Sequence, residues 1–71
     1  MSKWISVKDR LPEINEEVLC CVVRKNLLGN EKYLWLWSLY EDGSWGDQEF
    51  NIEEDEIVTH WMPLPNPPEE L

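Results

Sequence analysis

No lysine or arginine occurs after Lys32 in this 71-residue chain. The residues that follow hold ten carboxylates, so this half carries −10 against +1 for residues 1–32, and the total is −9. A field of that sign repels phosphates, which disfavours nucleic acid and anionic membranes as direct ligands. Glycine is scarce. Its three positions form no phosphate-cradling loop, Walker pattern or nucleophile elbow. Cysteine occurs only as the neighbours Cys20 and Cys21, whose side chains point to opposite faces of an extended chain and do not bridge each other. That excludes a disulfide framework, and without a C-x-x-C spacing the usual zinc and thioredoxin-like readings go too. Buried thiols in a reducing cytoplasm are the expectation. No stretch approaches the ~20 apolar residues of a membrane-spanning helix, and the start of the chain does not resemble a signal peptide. The chain therefore reads as a soluble, cytoplasmic protein with no cofactor and no metal.

Aromatic residues are abundant: five tryptophans, two tyrosines and one phenylalanine in a chain that makes a single domain over residues 1–71. A chain this short buries only about 60% of the surface it exposes when unfolded, so these rings must supply much of the core. The spacing predicts a mainly β fold with a small helical contribution: four antiparallel strands in a meander or half-barrel, one short N-terminal helical turn and an extended proline-rich tail. Ser6 followed by Asp9 is a weak capping box for the turn, which ends before Pro12. A polar connection, residues 12–17, leads into the first strand. The run at 18–23 is rich in β-branched residues, that at 33–40 is aromatic, Ser44-Trp45 opens a third strand, and 57–62 forms a fourth. Gly29-Asn30 lies in the expected loop of the first hairpin, and Asp42-Gly43 marks a tight turn of the two-residue hairpin type.

The aromatic strand is apolar on both sides. Tyr33, Trp35, Trp37 and Leu39 share one face, and Leu34, Leu36, Ser38 and Tyr40 share the other. A sheet with one wet face alternates apolar with polar, so this one needs cover on both sides. The Trp4 turn and the tail are expected to cover one. Curling of the sheet into a half-barrel, or a partner, covers the other, and the chain is expected to self-associate as a dimer through an edge strand or an apolar sheet face.

His60 is the only histidine, and no partner positions it as a metal ligand or general base, so a structural imidazole is expected. Asp47, Glu49, Asn51, Glu53, Asp55 and Glu56 superficially resemble a calcium loop. Position six is Ile52 where glycine is needed and position twelve is Val58 where a glutamate is needed, so a solvated acidic loop is the better account. Neither cysteine has a neighbouring base to activate it. Pro65-Asn66-Pro67-Pro68 satisfies P-x-x-P, a pattern read first as a strut against the chain's own tryptophans.

The two ends carry a resemblance. Residues 4–12, W-I-S-V-K-D-R-L-P, and residues 58–68, V-T-H-W-M-P-L-P-N-P-P, resemble the signature ends of a small domain family of unknown function found in bacteria and their phages. The Val18-Leu19 strand opening fits the same pattern, and Trp4, Pro12, His60, Trp61 and Pro63 match its motifs. The resemblance implies a phage or mobile-element setting and a small β-rich fold, and it brings no catalytic residues. Read as chemistry, the same residues form a clasp of the two termini.

These observations lead to a non-enzymatic, acidic protein-binding module. As a phage product it would inhibit a host nucleic-acid-binding or defence protein by occupying a basic surface. Its partner is expected to meet Trp35 and Trp37 on the sheet and Asp47, Glu49, Glu53, Glu54, Asp55 and Glu56 on the acidic loop. The alternative is a module that binds a small molecule or nucleotide in a pocket lined by Trp35, Trp37 or Trp45. An enzyme built on His60 ranks last.

Overall fold

The computed structural model describes residues 4–65. They form one antiparallel sheet of five strands: β1 (Ile5–Ser6), β2 (Glu17–Asn26), β3 (Gly29–Leu39), β4 (Trp45–Gly46) and β5 (Glu56–Pro63). Their spatial order is β1-β5-β2-β3-β4, so the chain is no simple meander. After β4 it crosses back over the sheet and inserts β5 between β1 and β2. The central strand is therefore β2, whose β-branched and cysteine run suits a strand with neighbours on both edges. A fifth strand joins the four expected ones because Ile5 and Ser6 pair with Trp61 and His60.

No helix forms among the described N-terminal residues. Ser6 O accepts from both Asp9 N and Arg10 N at 3.0 and 3.1 Å, which closes a single turn and goes no further. The Ser6 hydroxyl accepts from Lys8 N at 3.2 Å, so the serine serves this turn without the reciprocal carboxylate bond of a capping box. The first hairpin is longer than expected, and its turn is Leu27-Leu28 between the paired Asn26 and Gly29. Gly29, read as part of the loop, is the first residue of β3 and takes the positive φ (133°) that follows the turn. The second connection holds three residues, Glu41 to Gly43, because Tyr40 N donates to Ser44 O at 2.8 Å. Three-residue hairpins place a left-handed residue last, and Gly43 has φ 87°.

The two faces of the sheet are unequal. Val18, Cys20, Val22, Trp37, Leu39, Trp45, Val58 and Trp61 form the core on one face, with Ile5, Val7, Tyr33 and Ile52 packed against them. Cover thus comes from β1, its following turn and the 47–55 segment, while Trp4 stays substantially exposed. The proline-rich tail beyond Pro65 lies outside the described residues. On the opposite face, Leu19 pairs with Leu36 and Met62, Cys21 with Leu34 and His60, and Val23 with Lys32 and Ile57. Leu34 (53%), Leu36 and Ile57 are exposed there, so no segment among the described residues covers that side. A bulge at Thr59, between the Cys21 and Val22 pairs, adds local twist to this part of β5.

Candidate functional site

The residues nominated from the sequence separate on folding. Trp35 and Trp37 stand on the same side of β3, yet Trp37 is 4% exposed and Trp35 is 46% exposed. The difference arises because β4 and the chain after it cover only the Leu39 end of β3, where Leu39 pairs with Trp45. Glu49, Glu53, Glu54 and Asp55 are exposed, Asp47 is half-buried, and Glu56 is buried. Trp37 and Glu56 are thus interior groups with no surface to offer a protein partner. Phe50, at 61% exposure, was not signalled by the sequence and is the largest apolar projection of the acidic segment.

Asp47 shapes that projection. Its Oδ1 accepts from Glu49 N (2.8 Å) and Phe50 N (2.7 Å), and Asp47 N donates to Phe50 O at 2.8 Å, which closes a tight turn with Phe50 at its end. The Phe50 and Glu49 amides, with a smaller contribution from the Trp35 indole N–H, hold the Asp47 carboxyl below the usual carboxylate range. Gly46 lies beneath the turn: a Cβ there would meet Asn51 Oδ1 and would approach Phe50 O to 2.9 Å.

Between this segment and β3 lies a pocket of about 350 Å³. Tyr33, Trp35, Trp37 and Phe50 supply aromatic walls, and Arg24, Glu31, Asn51, Glu53 and Glu56 supply polar groups. Tyr33 and Trp35 meet edge to face, with centroids 6.5 Å apart. Glu56 anchors one side, accepting Arg24 Nη2 at 3.0 Å on one oxygen and Glu53 N at 2.9 Å on the other. The Arg24 guanidinium also lies 5.9 Å from the Tyr33 ring centre. Two donors in this region lack a hydrogen-bond partner among the described residues, Trp37 Nε1 and Arg24 Nε. Asp55 Oδ2, at 3.9 Å from Arg24 Nε, is an ion-pair neighbour beyond hydrogen-bond reach.

Other nominated groups lie elsewhere. His60 is exposed on the open face, its Nδ1 3.0 Å from Thr59 Oγ1. Burial pushes the Cys20 thiol up to about 11, so it stays protonated at neutral pH, whereas Cys21 is half-buried and faces the other way. At the clasp, the buried Trp61 donates its indole N–H to Arg10 O at 2.8 Å, and the Arg10 guanidinium lies 5.6 Å from its ring centre. No group of three or more metal-ligating side chains occurs among the described residues, and no helix among them is long and apolar enough to cross a membrane.

No solved structure matches the chain. A relative in Salmonella phage P22, the "Uncharacterized 7.8 kDa protein in ral-gp17 intergenic region", is 38% identical over 69 residues, covering 96% of this chain and 98% of that protein. The family described as "Protein of unknown function (DUF551)" matches residues 3–69. The chain therefore belongs to the DUF551 family, a family of unknown function in which the phage protein is a relative of this chain.

Proposed function

We propose that the chain is a phage-encoded, non-enzymatic binding protein that occupies a basic surface of a host nucleic-acid-binding or defence protein. The observation that carries this reading is the pairing of exposed Phe50 and Trp35 with Glu49, Glu53, Glu54 and Asp55, in a segment that holds no basic residue. Aromatic anchors flanked by carboxylates supply burial energy at the contact and steering at its rim. Carboxylates presented in this way compete for a groove that otherwise receives phosphates. The phage relative supports the setting. Capture from a bacterial lysate at low and at high salt tests the reading: basic proteins should be retained at low salt and released as salt screens the rim.

The open sheet face is proposed as the place where two copies meet. Strand alternation gives that face Glu17, Lys25, Lys32 and His60 among its charged or titratable members, while Ile52 of the acidic 47–55 segment packs on the opposite side. Two copies stacked through Leu34, Leu36 and Ile57 keep their acidic segments on the outer faces. Repulsion between the segments is then screened, since stacked sheets stand about 10 Å apart and the Debye length is about 8 Å.

A further inference from the structure

We propose that the free edge of β3 takes up an extended strand of a partner protein, antiparallel to it, in which basic and apolar side chains alternate. This rests on the partner reading above and names what the partner presents.

β3 is an edge strand over most of its length. It pairs with β2 from Gly29 to Ser38, whereas β4 meets it only at Ser38 and Leu39. The turn of the hairpin fixes which backbone groups point outward. Asn26 and Gly29 close it as a hydrogen-bonded pair, so Gly29 and every second residue up to Trp37 face β2, and Asn30, Lys32, Leu34 and Leu36 turn their N–H and C=O away from it. Bonds at the far end of the strand keep the same parity: Leu39 O accepts from Asn15 N, just before β2, and Tyr40 N donates to Ser44 O on the other side. Asn30, Lys32, Leu34 and Leu36 are exposed, and no described residue bonds to their outward groups. Native edges are blunted by proline, by a bulge, by charge or by a covering segment. Here the β2–β3 register runs without a shift, the strand holds no proline, and Tyr33 to Trp37 carries no charge. Such a row of donors and acceptors matches an extended backbone.

A second copy fits this edge poorly. Antiparallel pairing about a two-fold axis that is centred on Glu31 or Lys32 sets like charges opposite each other. Centring on Tyr33 brings the Leu27-Leu28 turn of each copy level with Ser38 of the other, where Gly46 already stands. A lone strand has no hairpin to collide.

The two sides of the edge define the side chains of that strand, since they alternate between the faces. On the core side Tyr33, Trp35 and Phe50 line a groove together with Glu31 and Glu53. Lysine or arginine suits it, with the apolar stem along the rings and the charged head at the carboxylates. On the open face the strand runs beside Leu34 and Leu36, which are exposed, so β-branched apolar side chains belong there.

The test uses a peptide of alternating lysine and valine, long enough to span Asn30 to Leu36, and follows the amides of the full chain by ¹H–¹⁵N spectra and hydrogen exchange. Saturating peptide should slow exchange at Lys32, Leu34 and Leu36 and leave Glu31, Tyr33 and Trp35, already bonded to β2, unchanged. In antiparallel pairing the residue opposite Leu34 shares its face, so the valine amides point at β3 and the lysine amides point away. Methylating the valine nitrogens should weaken binding roughly tenfold or more, whereas methylating the lysine nitrogens should leave it within about twofold. All three peptides carry the same charge. Lys32→Pro removes an outward N–H that no described residue uses, so this variant should melt as the parent does and still lose the peptide. Equal binding by the two methylated peptides, protection without the alternation along β3, or full binding to Lys32→Pro would overturn the proposal. So would protection of the same amides by raising the chain's own concentration, which gives the edge to a second copy. A parent that captures basic proteins from lysate but binds no such peptide overturns the edge and leaves the partner reading standing; a parent that binds the peptide but captures no basic protein does the reverse.

Discussion

Trp61 and Trp37 are buried to the same extent, and they differ in what each indole N–H meets. Trp61 is held by Arg10 O and by the guanidinium above its ring, so its removal takes away core packing, a hydrogen bond and the seat of β1 together. Trp61→Ala should cost about 3–5 kcal/mol, read as a lowered midpoint in urea. A variant that unfolds at the parent's midpoint would show that the N-terminal segment contributes nothing to stability. Asp42 offers a pH test. Its carboxylate accepts from the Ser44 hydroxyl at 2.6 Å and from Ser44 N at 3.0 Å, and these bonds, the hydroxyl first, hold it below the usual carboxylate range. A folded pKa below the unfolded one means that this stabilisation is present above the unfolded value and is lost as pH falls through the folded one. The Ser44 amide resonance should therefore titrate with a midpoint below that of an unstructured aspartate. A midpoint at or above the ordinary value would remove the hairpin bond from the account.

At the scale of elements, the 47–55 segment matters more than its composition suggests. Trp45 O accepts from Ile52 N at 3.0 Å, Gly46 bridges to Asn51, and Ile52 packs on the core, so an acidic stretch expected to be solvated is fastened across the sheet. Gly46→Ala tests the fastening. The added Cβ meets Phe50 O, a backbone atom that retreats only if the turn moves, so we expect a loss of about 1–3 kcal/mol with displaced Phe50 ring signals. An unchanged midpoint and unchanged Phe50 signals would show that the segment is loosely held. β2, β3 and β5 were legible as runs of β-branched and aromatic residues, because strand propensity and burial there act together. β1 was not, since two residues carry no periodicity and their partner lies more than fifty positions away. The Leu27-Leu28 turn escaped for the opposite reason: Gly29-Asn30 carries the conventional turn signal, but its glycine serves the residue after the turn. Trp35 and Trp37 share a strand face, so alternation alone could not tell the exposed ring from the buried one; of the tryptophans expected to line a pocket these two do so, Trp45 goes to the core, and the Phe50 wall carried no sequence signal.

For the whole molecule, the crossing of β5 to the far side of β2 decides the distribution of charge. It ties the acidic connection to the core side through Ile52 and leaves Leu34, Leu36 and Ile57 exposed on the other, with Lys25 and Lys32 towards the first hairpin. Light scattering over a concentration series at moderate salt should give a mass of twice 8.5 kDa. Leu34→Glu, which puts a carboxylate into the apolar contact, should return the mass to that of one chain. A parent that stays monomeric at high concentration would remove the second copy from the open face. The partner-binding reading stands on the other side of the sheet, and one comparison tests it most directly: capture of bacterial proteins by the parent, by a Glu49→Gln/Glu53→Gln/Glu54→Gln/Asp55→Asn variant and by Leu34→Glu. Basic proteins should be retained by the parent and by Leu34→Glu, lost with the neutralised rim, and released by salt from both chains that hold them. Retention that survives neutralisation of the rim and high salt would contradict the account.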